Sequence, residues 1–97
     1  MYPKDVTKVV QDAVLGGEMQ AKDVAERLGK PYSTLLRELN PFDMRAKLGV
    51  ETFMDILRVT RDPRPLAFMA KQMGYRLVPE NTSSERPVKI FRPGVGL

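Results

Sequence analysis

A chain of 97 residues suffices for one domain with a single modest core, and an apolar share of 42% is that of a folded protein rather than a disordered one. It contains neither Cys nor His, which excludes disulfides, thiol nucleophiles and zinc-thiolate sites and removes the commonest metal ligand and acid-base group, so neither an enzyme nor a cofactor is expected. Lys and Arg number 16 against 12 for Asp and Glu, and the resulting +4 favours an anionic partner without requiring one.

The opening MYPKDVTKVV has no apolar signal segment, and nowhere does an apolar run reach bilayer-spanning length, so a cytoplasmic protein with no membrane partner is expected. Val6, Val9, Val10, Ala13 and Val14 recur at the spacing of one helix face, and Gly16-Gly17 ends that first helix. Ala21, Val24, Ala25 and Leu28 form a second, short stripe that stops at Gly29, a residue suited to the left-handed position after a helix. Pro31 fits the first turn of a third helix with Tyr32, Leu35, Leu36 and Leu39 on one broad side, and Asn40-Pro41 closes it, Asn by tolerating a left-handed backbone.

Phe42 to Gly49 reads as a loop in which Asp43 is placed to cap a turn. Val50, Phe53, Met54, Ile56 and Leu57 give the fourth helix a wide apolar face. Asp62-Pro63 can cap and begin a fifth, whose stripe is Leu66, Met69, Ala70 and Met73 before Gly74. Tyr75 to Pro79 is an extended exit, and ENTSSERP beyond it has linker composition. The final KIFRPGVGL reads as either a docked strand or a loose tail. Residues 1–79 thus form the domain and 80–97 a linker and tail, and the fold class is all-α with about five helices.

The spacing of Ala25, Gly29 and Leu35 is that of a helix-turn-helix unit, which needs a small residue where its helices cross, a Gly at the bend and apolar residues seating the second helix. An ordinary helical hairpin, with Gly29 ending a helix and the leucines in a core, has the same pattern. On the DNA-binding reading Tyr32, Ser33 and Arg37 are the base-contacting candidates. Arg37 leads them, because a guanidinium can bond both acceptors on a guanine edge. Gln20 and Lys22, at the start of the second helix, and Lys30, at the entrance of the third, are candidates for the DNA backbone. Arg58, Arg61 and Arg64 gather at the turn between the last two helices, where a solvated corner is the plainer reading.

Met54, Met69 and Met73 lie at helical spacing and read as core filler. What is left over, Phe68 and Ile56 above all, suggests a partner-facing strip, here assigned to self-association because short DNA-binding units gain affinity by pairing.

From Ala21 to Pro79 the chain resembles the phage regulatory protein CII family, the helix-turn-helix regulators of P2-like temperate phages. The resemblance is carried by KDVAERLGKPYSTLLRELNP and by LGVETFMDILRVTRDPRPLAFMAKQMGYRLVP. It implies a lambda-repressor-like helical fold, a role in switching phage or prophage transcription towards lysogeny, an oligomeric active form, and Tyr32, Ser33 and Arg37 facing DNA. Lys30 departs from the pattern, standing where such units often place an apolar turn residue, and the segment after Pro79 lies outside the resemblance. The leading expectation is therefore a sequence-specific regulator of double-stranded DNA acting as a homodimer or homotetramer, with no small-molecule substrate. The rival is a helical adaptor that binds a protein through the third helix and the Met-rich helices and never touches DNA.

Overall fold

A computed structural model describes residues 4–80, which form five helices and, among the described residues, no strand. These are α1 (Asp5–Leu15), α2 (Ala21–Leu28), α3 (Tyr32–Glu38), α4 (Val50–Thr60) and α5 (Arg64–Gln72). The patch around Val88 to Phe91 and the rest of the tail beyond Glu80 lie outside the described residues.

Apolar periodicity places α1 with Val10, Ala13 and Val14 buried, joined by a polar residue, Thr7, which hydropathy does not mark. Val6, at the open edge of the same face, stays exposed. Lys4 precedes the helix without a side-chain cap, and its ammonium reaches across to donate to the carbonyl oxygens of Asp43 and Ala46, both at 2.8 Å. These two bonds fasten the 43–46 loop to the start of α1.

The bend between α2 and α3 is set by Gly29, with φ 68 and ψ 34. Its N–H donates to the Glu26 carbonyl and that of Lys30 to the Ala25 carbonyl, each at 3.0 Å, the crossed pair of a Schellman ending. Pro31 stands just before α3 rather than inside it, and its carbonyl accepts from Leu35 N–H. At the far end Asn40 does not take the left-handed backbone anticipated for it; the positive-φ residues described are Gly29, Arg61 and Gly74. Its Oδ1 instead accepts from Phe42 N–H at 2.9 Å, turning the chain by a local side-chain bond. The loop that follows carries the anticipated Asp43 cap, Oδ1 accepting from the N–H groups of Arg45 and Ala46, but no helical turn forms behind it.

The core is built by α1 to α4: Val10 and Val14, Val24 and Ala25, Leu35 and Leu39, and Ile56. Met19, Ala21, Leu28, Leu48, Phe53 and Val59 close over it. Among the described helices α5 packs only against α1 and adds no residue to this cluster; its own buried residue is Pro65.

Two expectations are reversed here. Ile56, assigned above to a self-association strip, is fully enclosed, so it seats α4 on the core and presents nothing to a partner. Met54, Met69 and Met73, read as core filler, are exposed, together with Leu66 and Val50; Met73 is 74% and Val50 80% accessible. Helix α4 has apolar residues on nearly every side, so its period cannot tell which side faces in. On α5 the inward positions are Pro65 and the half-buried Phe68, leaving the Leu66, Met69 and Met73 stripe outside.

A Cβ on Gly29 would meet nothing within 4 Å, so substitution there strains only the backbone. Gly29→Ala is expected to cost about 1–2 kcal/mol and Gly29→Asn clearly less, because Asn tolerates the left-handed region. Ile56→Ala is expected to cost about 2–5 kcal/mol as a core cavity. Equilibrium urea unfolding of the three variants measures these differences, and an Ile56→Ala loss under 1 kcal/mol would contradict its core position.

Candidate nucleic-acid interface

Helix α3 is held from behind by Leu35 and Leu39, both fully buried, and comes within 8 Å, Cα to Cα, of no helix except α2. Among the described residues no helix covers its other side. Ser33 and Arg37 lie on that side and are exposed, while Tyr32, three residues before Leu35 and so on the leucine side by spacing, is exposed at its margin, 37% accessible. Leu36 beside them is half-buried.

Gln20 and Lys22, at the start of α2, are exposed too. Gln20 is the N-cap in extended conformation, its carbonyl accepting from the N–H groups of Asp23 and Val24, with no side-chain cap bond. The Lys22 ammonium lies 5.8 Å from the centroid of the Tyr32 ring, a cation-π distance that brings the starts of α2 and α3 together on one face. Five of the six nucleic-acid candidates are thus exposed, with Lys22 and Tyr32 in contact.

Lys30 does not join them. Its ammonium lies 3.0 Å from Glu38 Oε1 and donates to Oε2 at 3.2 Å, with only 23% and 19% of the two side chains accessible. The pair ties the α2–α3 turn to the last turn of α3. This explains how a lysine occupies a position usually apolar in such turns: its stem packs inward and its charge is met by Glu38. Lys30 is a brace for α3 in this structure, and its ammonium is not presented outward for a phosphate.

Arg37 has a partner that sequence reasoning did not find. Arg37 Nε donates to Asp43 Oδ2 at 3.2 Å, while 62% of the arginine side chain stays accessible. Glu38 and Asp23, the neighbours a helix surface suggests, do not fill this role. Asp43 lies beyond the Asn40-Pro41 turn, and only that turn carries it back to α3. The Arg45 and Ala46 N–H groups, and then the Arg37 guanidinium, hold the Asp43 carboxyl below its ordinary value near 3.8.

At the turn between α4 and α5 the three arginines are differently engaged. Arg58 pairs with Asp55 at 3.1 Å, and Arg64 is clasped to Asp62, whose carboxyl it holds below the ordinary range. Arg61 closes α4 in a left-handed conformation, φ 58, its N–H donating to the Leu57 carbonyl. Arg61 and Arg64 share a recess with Gly17, Glu18 and Met19, the segment leading into Gln20. That places the corner next to the start of α2.

Among the described residues no helix is long and apolar enough to cross a membrane. The class defined by these features is a small all-helical domain that displays one short helix, backed by leucines and fronted by an arginine. The chain belongs to the phage regulatory protein CII family, whose model matches residues 4–91. The match extends past the 21–79 segment that carries the resemblance in the sequence, taking in α1 and part of the tail. Neither a curated protein nor a solved structure matches the chain.

Because its folded value is depressed, the Asp43 carboxylate contributes stability that is present above pH 3.8 and lost as pH falls through the lower folded value. The carbon-detected titration of Asp43 is expected to have a midpoint below 3.8, and the Arg37 Hε resonance is expected to shift with the same midpoint. A midpoint at or above the ordinary value would show that the carboxylate is not held as described.

Proposed function

We propose that this phage regulatory protein is a sequence-specific binder of double-stranded DNA that controls phage or prophage transcription in the switch towards lysogeny. In this reading α2 and α3 are a helix-turn-helix unit with α3 in the major groove. The observation that carries it is the bare front of α3: buried leucines behind, no other helix across it, and Arg37 outward. Arg37 is assigned to direct readout, with Ser33 and Tyr32 reaching bases or phosphates beside it. Gln20 and Lys22 are assigned to the phosphate backbone at the positive end of α2. No catalysis, cofactor or small-molecule substrate enters this reading.

The active form is proposed to be a homo-oligomer, a dimer or a tetramer, joined through α4 and α5. These helices flank an open groove lined by Phe53, Met54, Leu57 and Leu66, with Met69 exposed nearby. Phe68 is retained in this role only through its half-exposed part. A second copy is the proposed occupant, because repeated half-sites on a duplex demand paired copies of α3. The exposed apolar groove would equally suit the adaptor reading, which differs in requiring no duplex.

Duplex binding is expected to weaken steeply with added salt, as phosphate neutralisation requires, whereas binding indifferent to salt, or none, would favour the adaptor. Arg37→Ala is expected to cost about 1–3 kcal/mol and to relax preference at one base pair. Lys22→Ala is expected to weaken all sequences alike and reduce the salt slope. Both are measured by fluorescence anisotropy on a duplex selected from a random pool and its single-pair variants; equal loss on every sequence for Arg37→Ala would reject the readout role. Met54→Asp with Leu66→Asp is expected to lower the mass seen by analytical ultracentrifugation while leaving helix content unchanged.

A further inference from the structure

The Arg37 guanidinium is held through one atom only. Among the described residues its single hydrogen bond runs from Nε to Asp43 Oδ2. That leaves the two terminal nitrogens without a hydrogen bond among the described residues, and these are the atoms a guanidinium uses to bond guanine O6 and N7 together in its end-on mode. A carboxylate on both terminal nitrogens would block readout. One on Nε leaves it open.

The carboxylate is itself fixed. Asp43 Oδ1 accepts from two backbone N–H groups, at 3.0 and 3.1 Å, and the Asp43 carbonyl is held by Lys4. The arginine therefore rests on an acceptor anchored at three points and bolted to α1 through Lys4. An exposed ion pair contributes little to folding, so stability alone gives weak reason for the arrangement. Its stronger effect is to restrict a long side chain that would otherwise lose rotamer freedom on binding.

We infer that Asp43 is a positioning residue that pre-orients Arg37 for base readout and so sets sequence preference without touching DNA. This rests on the DNA-binding reading above. It carries an unusual sign. Asp43 brings a negative charge close to the phosphates, so it works against general affinity while favouring discrimination.

Asp43→Asn separates these effects, since the amide oxygen can still accept from Arg45 and Ala46 N–H while the amide nitrogen cannot accept from Arg37 Nε. The full chain is tested on a duplex selected from a random pool by the wild type, on its single-pair variants, and on the unselected pool. Expected for Asp43→Asn are a small fall in melting temperature with a cooperative fold retained, equal or tighter binding to the unselected pool, and a loss of about two- to twelvefold in preference at one base pair, the range set by freeing one long side chain. In an Arg37→Ala background the same substitution is expected to leave preference unaltered, a result that a general structural role would not produce. Full preference retained by Asp43→Asn, or an equal loss without Arg37, overturns the inference while leaving DNA binding intact. Salt-dependent duplex binding absent from the wild type removes the DNA-binding reading and this inference together.

Discussion

The left-handed backbone at Gly29 fixes the relation between α2 and α3, and with it the face that the protein displays. Two crossed hydrogen bonds, from Gly29 to Glu26 and from Lys30 to Ala25, end α2 and turn the chain within three residues. With so short a connection, burying Val24 and Ala25 on one arm and Leu35 and Leu39 on the other forces the remaining side of α3 away from the body. The Lys30–Glu38 pair then braces the second arm across the same turn. A charge that departs from the usual apolar residue at this bend is thereby put to structural use.

Around that unit the molecule divides into a part that holds and a part that shows. Helix α1 supplies valines to the core and, through Lys4, steadies the loop beyond α3. Helix α4 anchors by Ile56 and turns its methionine outward, while α5 lies along α1 and keeps out of the main core. The outcome is a polar, arginine-bearing front on α3 and an apolar strip on α4 and α5. On the proposed function, a regulator working as paired copies on a duplex needs one surface of each kind.

Much of this was legible in the chain itself. The five helices, the glycine turn, the Asp43 cap and the exposure of Ser33 and Arg37 follow from apolar spacing and from residues with narrow backbone preferences. Other features were not. Ile56 and Met54 are two residues apart on a helix apolar on most sides, so spacing gave no means of choosing which one the core would take. Asn40 pointed to a turn, but its conformation depended on a side-chain bond to Phe42 rather than on a left-handed backbone. For Arg37 the chain offers Asp23 and Glu38 as near partners; Asp43 is reached only after the Asn40-Pro41 turn.

The sequence by itself determined what is local: where helices start and stop, which backbone positions demand glycine, and which short helix carries its arginine opposite its leucines. Those depend on interactions within a few residues, and the residues concerned are present in the chain. Tertiary structure alone decided which apolar faces are enclosed, that Lys30 braces instead of reaching out, and that a loop carboxylate holds Arg37 by one nitrogen. Each of these depends on how separate segments compete for the same limited interior and meet across a turn, and one-dimensional spacing carries no measure of that competition.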